Sequence, residues 1–277
     1  MSLENGQHDQ QSGSRRDGDG DGDGDELVHL SVTGGVATIT LDSPSNRNAL
    51  SARLVADLMS HLSGSAANER VRLVVLTHTG NTFCAGADLA ESAREGGPSK
   101  GTERLVELLR TILELPKPVV ATIDGNVRAG GLGLLGACDI VVASDTSSFA
   151  FTEARLGLAP AIISLTLLPR LDQRAAGRYF LTGEKFDATV AARIGLITES
   201  SRDVVAATDD IIGDLMLGSP QGLAASKKLN TDRLLADFDA EASRLAAESA
   251  RLFTSEDAQE GIASFLEKRP PRWVEGK

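Results

Sequence analysis

Residues 118–139 read PVVATIDGNVRAGGLGLLGACD, and the change of character along this stretch decides how the rest of the chain is read. Pro118 opens an apolar, largely β-branched run, Val119, Val120, Ala121, Thr122 and Ile123, of the kind that forms a buried strand. Gly125 breaks the run, and after Ala129 the residues Gly130, Gly131 and Gly133 remove side-chain bulk where the chain turns into a helix. The first N–H groups of a helix have no intrahelical acceptor, so a turn of this kind can hold a negatively charged oxygen. Close packing alone is the plainer use of such glycines. Gly131, Gly133 and Gly136 also match the dinucleotide fingerprint G-x-G-x-x-G, but seven residues separate Ile123 from Gly131. The dinucleotide fold turns directly off its strand, and here the helix is cut short by Asp139 and the strand-like residues 140–143. A nicotinamide or flavin site therefore ranks below an anion-holding turn.

A chain of 277 residues, 41% hydrophobic and 24% charged, can bury a full core, and one main domain is the default. No apolar run approaches the roughly 20 residues that span a bilayer, and MSLENGQHDQQ at the N-terminus has no apolar signal segment. A cytoplasmic protein without a membrane partner is expected. Cys84 and Cys138 read as small buried side chains, and the four histidines form no ligand cluster, so no metal is expected. Of the net charge of −11, residues 1–25 supply −5, from seven acids against Arg15 and Arg16. The remaining −6 offers no broad basic surface, which disfavours nucleic acid as a partner.

Residues 17–25, DGDGDGDGD, begin like a calcium loop, yet its twelfth position is Val28 where a bidentate Glu is required. Residues 1–26 are read as a disordered acidic tail. Residues 28–32 and 36–41, separated by Thr33, Gly34 and Gly35, predict a hairpin. Leu50, Leu54, Val55, Leu58, Met59 and Leu62 recur at helical spacing, 71–76 is a short apolar strand, and Leu105, Leu108, Leu109 and Ile112 mark a second helix. Past Asp139, IVVAS and SFAFT predict a strand pair. Helical patterns then cover 163–171, 174–181, 204–217, 221–235 and 238–253, with strand character only at 195–198. Strands alternating with helices and then a helical end predict an α/β fold.

NTFCAGADL at 81–89, the glycine turn at 129–133 leading to ACDIVVAS, SFAFTEARLGLAP at 148–160 and EGIASFLEKRPPRW at 260–273 together resemble the enoyl-CoA hydratase/isomerase (crotonase) superfamily. Several ordered motifs over about residues 27–273 are far more specific than any one of them. The resemblance implies a spiral of ββα units over 27–200, a helical trimerisation region over 201–277, and a homotrimer or homohexamer acting on an acyl-CoA thioester. It implies no cofactor beyond the CoA of the substrate. It also implies that the amides of Ala87 and Gly130 form an oxyanion hole for the thioester oxygen and that Glu153 is the catalytic carboxylate. Two aimed amides suit an oxygen that gains charge as an enolate forms, each such donor contributing about 10²–10³ in rate.

By the same matching, Arg47, Ala85, Asp88 and Leu89 are expected to contact CoA, as are Phe265 and Lys268 of the F-x-x-K segment, from a neighbouring subunit. Each has a bland alternative in packing or a solvated charge. Family hydratases usually carry a second glutamate, where this chain has Gly133. The resemblance to bacterial methylglutaconyl-CoA-type hydratases, which share that glycine, favours an enoyl-CoA hydratase. A single carboxylate equally fits Δ3,Δ2-enoyl-CoA isomerisation, and a non-catalytic acyl-CoA-binding member is a third possibility. Gly133 is expected to leave space beside the thioester. Arg128 and Arg155 are candidates to pair with an acyl carboxylate, though a structural role for each is the better reading.

Overall fold

A computed structural model describes residues 26–94 and 99–274. The 17–25 segment, its calcium reading and all but the last residue of the acidic tail lie outside the described residues. The described chain opens with strands β1 (Val28–Thr33) and β2 (Val36–Leu41), antiparallel with Thr33 opposite Val36. Gly34 and Gly35 join them with φ of 59° and 88°, the two positive values that a twisted two-residue hairpin turn requires. Ala37, Ile39 and Leu41 face inward in alternation. Helix α1 (Ala52–Ala67), capped by the Ser51 hydroxyl on Leu54 N–H, covers them with Leu54, Val55, Leu58 and Leu62.

A repeated unit follows: a strand of a large sheet, a short strand of a second sheet, then a helix. Its first copy is β3 (Leu73–His78), β4 (Thr82–Cys84), α2 (Leu89–Arg94) and α3 (Ser99–Glu114). The second is β5 (Val119–Ile123), β6 (Asn126–Arg128) and α4 (Gly130–Ala137). The third is β7 (Ile140–Ser144), β8 (Ser148–Ala150), a 3-10 turn Glu153–Leu156 and the short α5 (Ser164–Leu167). After α6 (Gln173–Thr182) come β9 (Phe186–Asp187), α7 (Ala188–Arg193) and β10 (Glu199–Ser201). The large sheet runs β1-β2-β3-β5-β7-β10 and is parallel from β2 onward; the small one runs β4-β6-β8-β9, with only β9 antiparallel. Residues 73–76 and 119–121 are buried throughout, as strands covered on both faces must be. This is the α/β spiral with a helical C-terminal part that the sequence implies.

Three expectations are corrected. IVVAS and SFAFT do not pair with each other, because the turn closed by Ser147 N–H on Ser144 O (2.8 Å) carries the chain from the large sheet to the small one. The strand expected at 195–198 lies at Glu199–Ser201: Gly195, at φ 82°, still terminates α7, and Thr198 only reaches the sheet edge by donating to Val141 O. The patterns at 221–235 and 238–253 are one helix, α9 (Pro220–Phe253), which begins after α8 (Val204–Leu217) and has no breaker between the two patterns. A buried ion pair docks α9: Lys227 Nζ lies 2.8 Å from Asp139 Oδ2 and donates to the carbonyl of Ile112. The last helix, α10 (Glu256–Leu266), packs on the Glu153–Leu156 turn, where Gly261 lets the Leu156 backbone approach. No described helix is long and apolar enough to cross a membrane.

Candidate active site

Strands β4, β6 and β8 are parallel neighbours, so their C-terminal ends lie along one edge of the small sheet. Ligands of open α/β sheets are received beyond that kind of edge. The chain leaving β4 carries Ala85, Gly86 and Ala87; the chain leaving β6 carries Ala129 and Gly130; the chain leaving β8 carries Glu153. Arg128 is in register with Ala150, and Ala129 N–H donates to Ala150 O at 3.2 Å, which ties the second ending to the third.

Glycine makes the contact between the first two endings possible. A Cβ on Gly86 (φ 91°) would lie 3.1 Å from the Gly130 amide nitrogen and 2.9 Å from Ala129 Cβ. Gly131 is held against Cys84, whose backbone oxygen and Cβ would each be 2.8 Å from an added Cβ. Leu50 N–H donates to Gly86 O at 2.8 Å in a parallel bridge opposite Ala87. In a bridge of that pattern the flanking residues make the bonds, so the N–H of Ala87 is turned away from Leu50. Gly130 is the first residue of α4 and its N–H has no acceptor within the helix. Ala87 is exposed, Gly130 is buried, and the helix dipole adds to the second donor. The structure thus packs the loop that carries Ala87 against the start of α4 at Gly130. Cys84 beside them is a packing group, its thiol pushed up to about 12 by burial.

Glu153 starts the 3-10 turn after β8 and is 9% exposed. Its Oε2 is buried without a hydrogen-bond partner among the described residues. Burial raises its pKa to about 7, partly opposed by a bond from its own backbone. A carboxyl so poised near neutrality can both take and give a proton.

The remaining expected residues divide. Arg47 is exposed and lines a cleft of about 310 Å³ with Pro44, Thr79, Gly80, Asn81 and Thr82. Ala85 donates to the Arg47 carbonyl at 3.1 Å, which joins that cleft to the loop after β4. Asp88 caps α2 by accepting from Glu91 N–H at 2.9 Å, and Leu89 is the first residue of that helix. Phe265 and Lys268 lie at the exposed C-terminal end of α10. Space beside Gly133 is a corrected expectation. A Cβ there would meet Ile163 Cγ2 at 2.5 Å and Leu109 Cδ1 at 3.5 Å, so the glycine admits the Ile163 side chain. Arg128 donates to the carbonyls of Val127 and Ser148, and Arg155 to that of Thr182, as the structural reading of both expected. Asn48, fully buried and bonded to Ser43, Thr79 and Thr82 behind that cleft, has no motif of its own; its only sign in the sequence is an amide in a turn-rich segment.

Comparison with known proteins identifies the family. The family model described as "Enoyl-CoA hydratase/isomerase" matches residues 31–276. A crystal structure of an enoyl-CoA hydratase from Mycobacterium avium is 56% identical with a TM-score of 0.85, covering 90% of this chain and 99% of that one. The mitochondrial enoyl-CoA hydratase domain-containing protein 3 of Danio rerio is 32% identical, with 87% of this chain and 85% of its own covered. The carnitinyl-CoA dehydratase of Proteus mirabilis is 30% identical, with 90% and 98% covered.

Proposed function

Because the chain belongs to the enoyl-CoA hydratase/isomerase family, we propose that it adds water across the C2–C3 double bond of a 2-enoyl-CoA thioester. The observation that carries this reading is Glu153, a buried carboxyl with a pKa near 7 on the chain leaving β8, the strand paired with the one that leads to Gly130. In the reaction the Glu153 carboxylate takes a proton from water as the water oxygen bonds to C3. The π electrons move to the thioester oxygen, where the N–H groups of Ala87 and Gly130 hold the charge. The enolate then collapses and takes the same proton from Glu153 at C2. One water is consumed, the carboxylate is regenerated, and one group on one face makes the addition syn.

Arg47, Ala85, Asp88 and Leu89 are assigned to CoA, with Gly133 acting through the packing of Ile163. Phe265 and Lys268 would serve a neighbouring subunit of a trimer or hexamer. No cofactor beyond the substrate's CoA enters the scheme. A second reading is favoured by Ile163, which fills the place from which a second carboxylate at position 133 would act. One base suffices to move a proton from C2 to C4, so Δ3,Δ2-isomerisation uses the same parts.

The test is incubation with crotonyl-CoA and with a 3-enoyl-CoA, with products separated by chromatography and followed by mass. The 2-enoyl thioester is expected to gain one water while the 3-enoyl thioester persists. Conversion of the 3-enoyl thioester without a mass change would select the isomerase. Tight binding with no conversion of either would select an acyl-CoA-binding protein.

A further inference from the structure

Asn48 is fully buried and adopts φ 53°, a left-handed conformation that Asn tolerates better than most residues. Its Oδ1 accepts the Ser43 N–H at 2.7 Å, and its Nδ2 donates to Thr82 O at 2.8 Å and Thr79 O at 3.2 Å. One amide therefore links the segment that carries Arg47 to the β3–β4 connection, and these are the two walls of the 310 Å³ cleft. The backbone continues the lacing: Asn48 N–H donates to Ser43 O at 2.9 Å, Ala85 N–H to Arg47 O at 3.1 Å, and Leu50 N–H to Gly86 O at 2.8 Å. Arg47 itself holds a left-handed φ of 60°, so its backbone direction is imposed by its neighbours. The side chain of Asn48 imposes it from one side and the Ala85–Arg47 bond from the other.

We infer that Asn48 is a positioning residue that sets Arg47 and the oxyanion loop in the one arrangement able to receive CoA. The inference depends on the CoA assignment of Arg47 made above. Its physical basis is the inventory of an amide. Only a group that accepts on one atom and donates on the other can satisfy Ser43 N–H, Thr79 O and Thr82 O together, and buried groups left unpaired are costly. An aspartate of the same shape still accepts from Ser43, but as a carboxylate it turns a second oxygen toward two carbonyls. Protonated, it regains a donor.

The test is calorimetric titration of the full chain with free coenzyme A, comparing wild type, Asn48→Asp and Arg47→Ala at about pH 8 and about pH 5.5. Each variant is referred to wild type at the same pH, which cancels the titration of CoA itself. Asn48→Asp is expected to bind about tenfold more weakly near pH 8 and to return to within about threefold near pH 5.5. Arg47→Ala should lose affinity equally at both. A purely structural Asn48 would lower the melting temperature without a pH-dependent gap in affinity. Wild-type affinity in folded Asn48→Asp at both pH values would overturn the inference. Should Asn48→Asp fail to fold, Asn48→Ala carries the comparison, with the same roughly tenfold loss expected; a folded Ala variant of wild-type affinity, or the failure of both to fold, makes Asn48 a fold determinant only. Absence of CoA binding by wild type would strike the CoA assignment itself, a distinguishable result.

Discussion

In the proposed hydration Glu153 is the one carboxyl that moves a proton, and burial sets its proton affinity. The folded pKa of about 7 lies above the ordinary 4.5, so the folded state favours the protonated form. Stability is therefore full below about pH 4.5, falls as pH rises toward 7, and stays reduced above it. At about 1.4 kcal/mol per pH unit the penalty is up to about 3 kcal/mol. Glu153→Gln removes the titration. Denaturant unfolding should find the variant more stable than wild type near pH 8 by up to about 3 kcal/mol and equal to it near pH 4. Equal stability at both would mean that the carboxyl is solvated. The position of Glu153 was legible only through the TEARLG motif; its exposure, the orphaned Oε2 and the raised pKa come from packing that no local pattern records.

At the scale of the element, α4 explains why its glycines are where they are. Gly131 lies against Cys84, Gly133 against Ile163 and Gly136 against Thr166, so the helix is pressed between β4 and α5. Thr166 Oγ1 donates to Gly133 O at 3.1 Å, and Arg170 Nε to Gly136 O at 2.6 Å, which fixes the helix that presents the Gly130 amide. Gly133→Ala should lower stability by about 1–3 kcal/mol, because its Cβ must displace a buried Ile163 branch. A melting temperature at or above that of wild type would show that room exists there after all. The strand and the glycine turn of this stretch were readable because β-branched runs and glycines are local signals. The identity of the side chain filling the space was not, because Ile163 is thirty residues away in sequence. The three-residue strands β4, β6 and β8 were missed or misassigned for a related reason: they are too short to show an alternation.

Over the whole molecule, the threefold recurrence of a large-sheet strand, a short strand and a helix is what places three loops on one edge. In the proposed reaction each loop would supply one part, two amides and one carboxyl, on strands that a parallel sheet keeps in register. The hairpin, α1 and the main strands followed from periodicity, but the division into two sheets depends on long-range pairing. The account's central claim is that these three parts act together, with Glu153 moving the proton. The measurement is kcat/KM for crotonyl-CoA hydration across pH in wild type and Glu153→Gln. The wild-type value should rise through about pH 7 as the carboxyl ionises, and Glu153→Gln should be at least about 100-fold lower and flat across that range. Turnover by Glu153→Gln at the wild-type rate would contradict the claim.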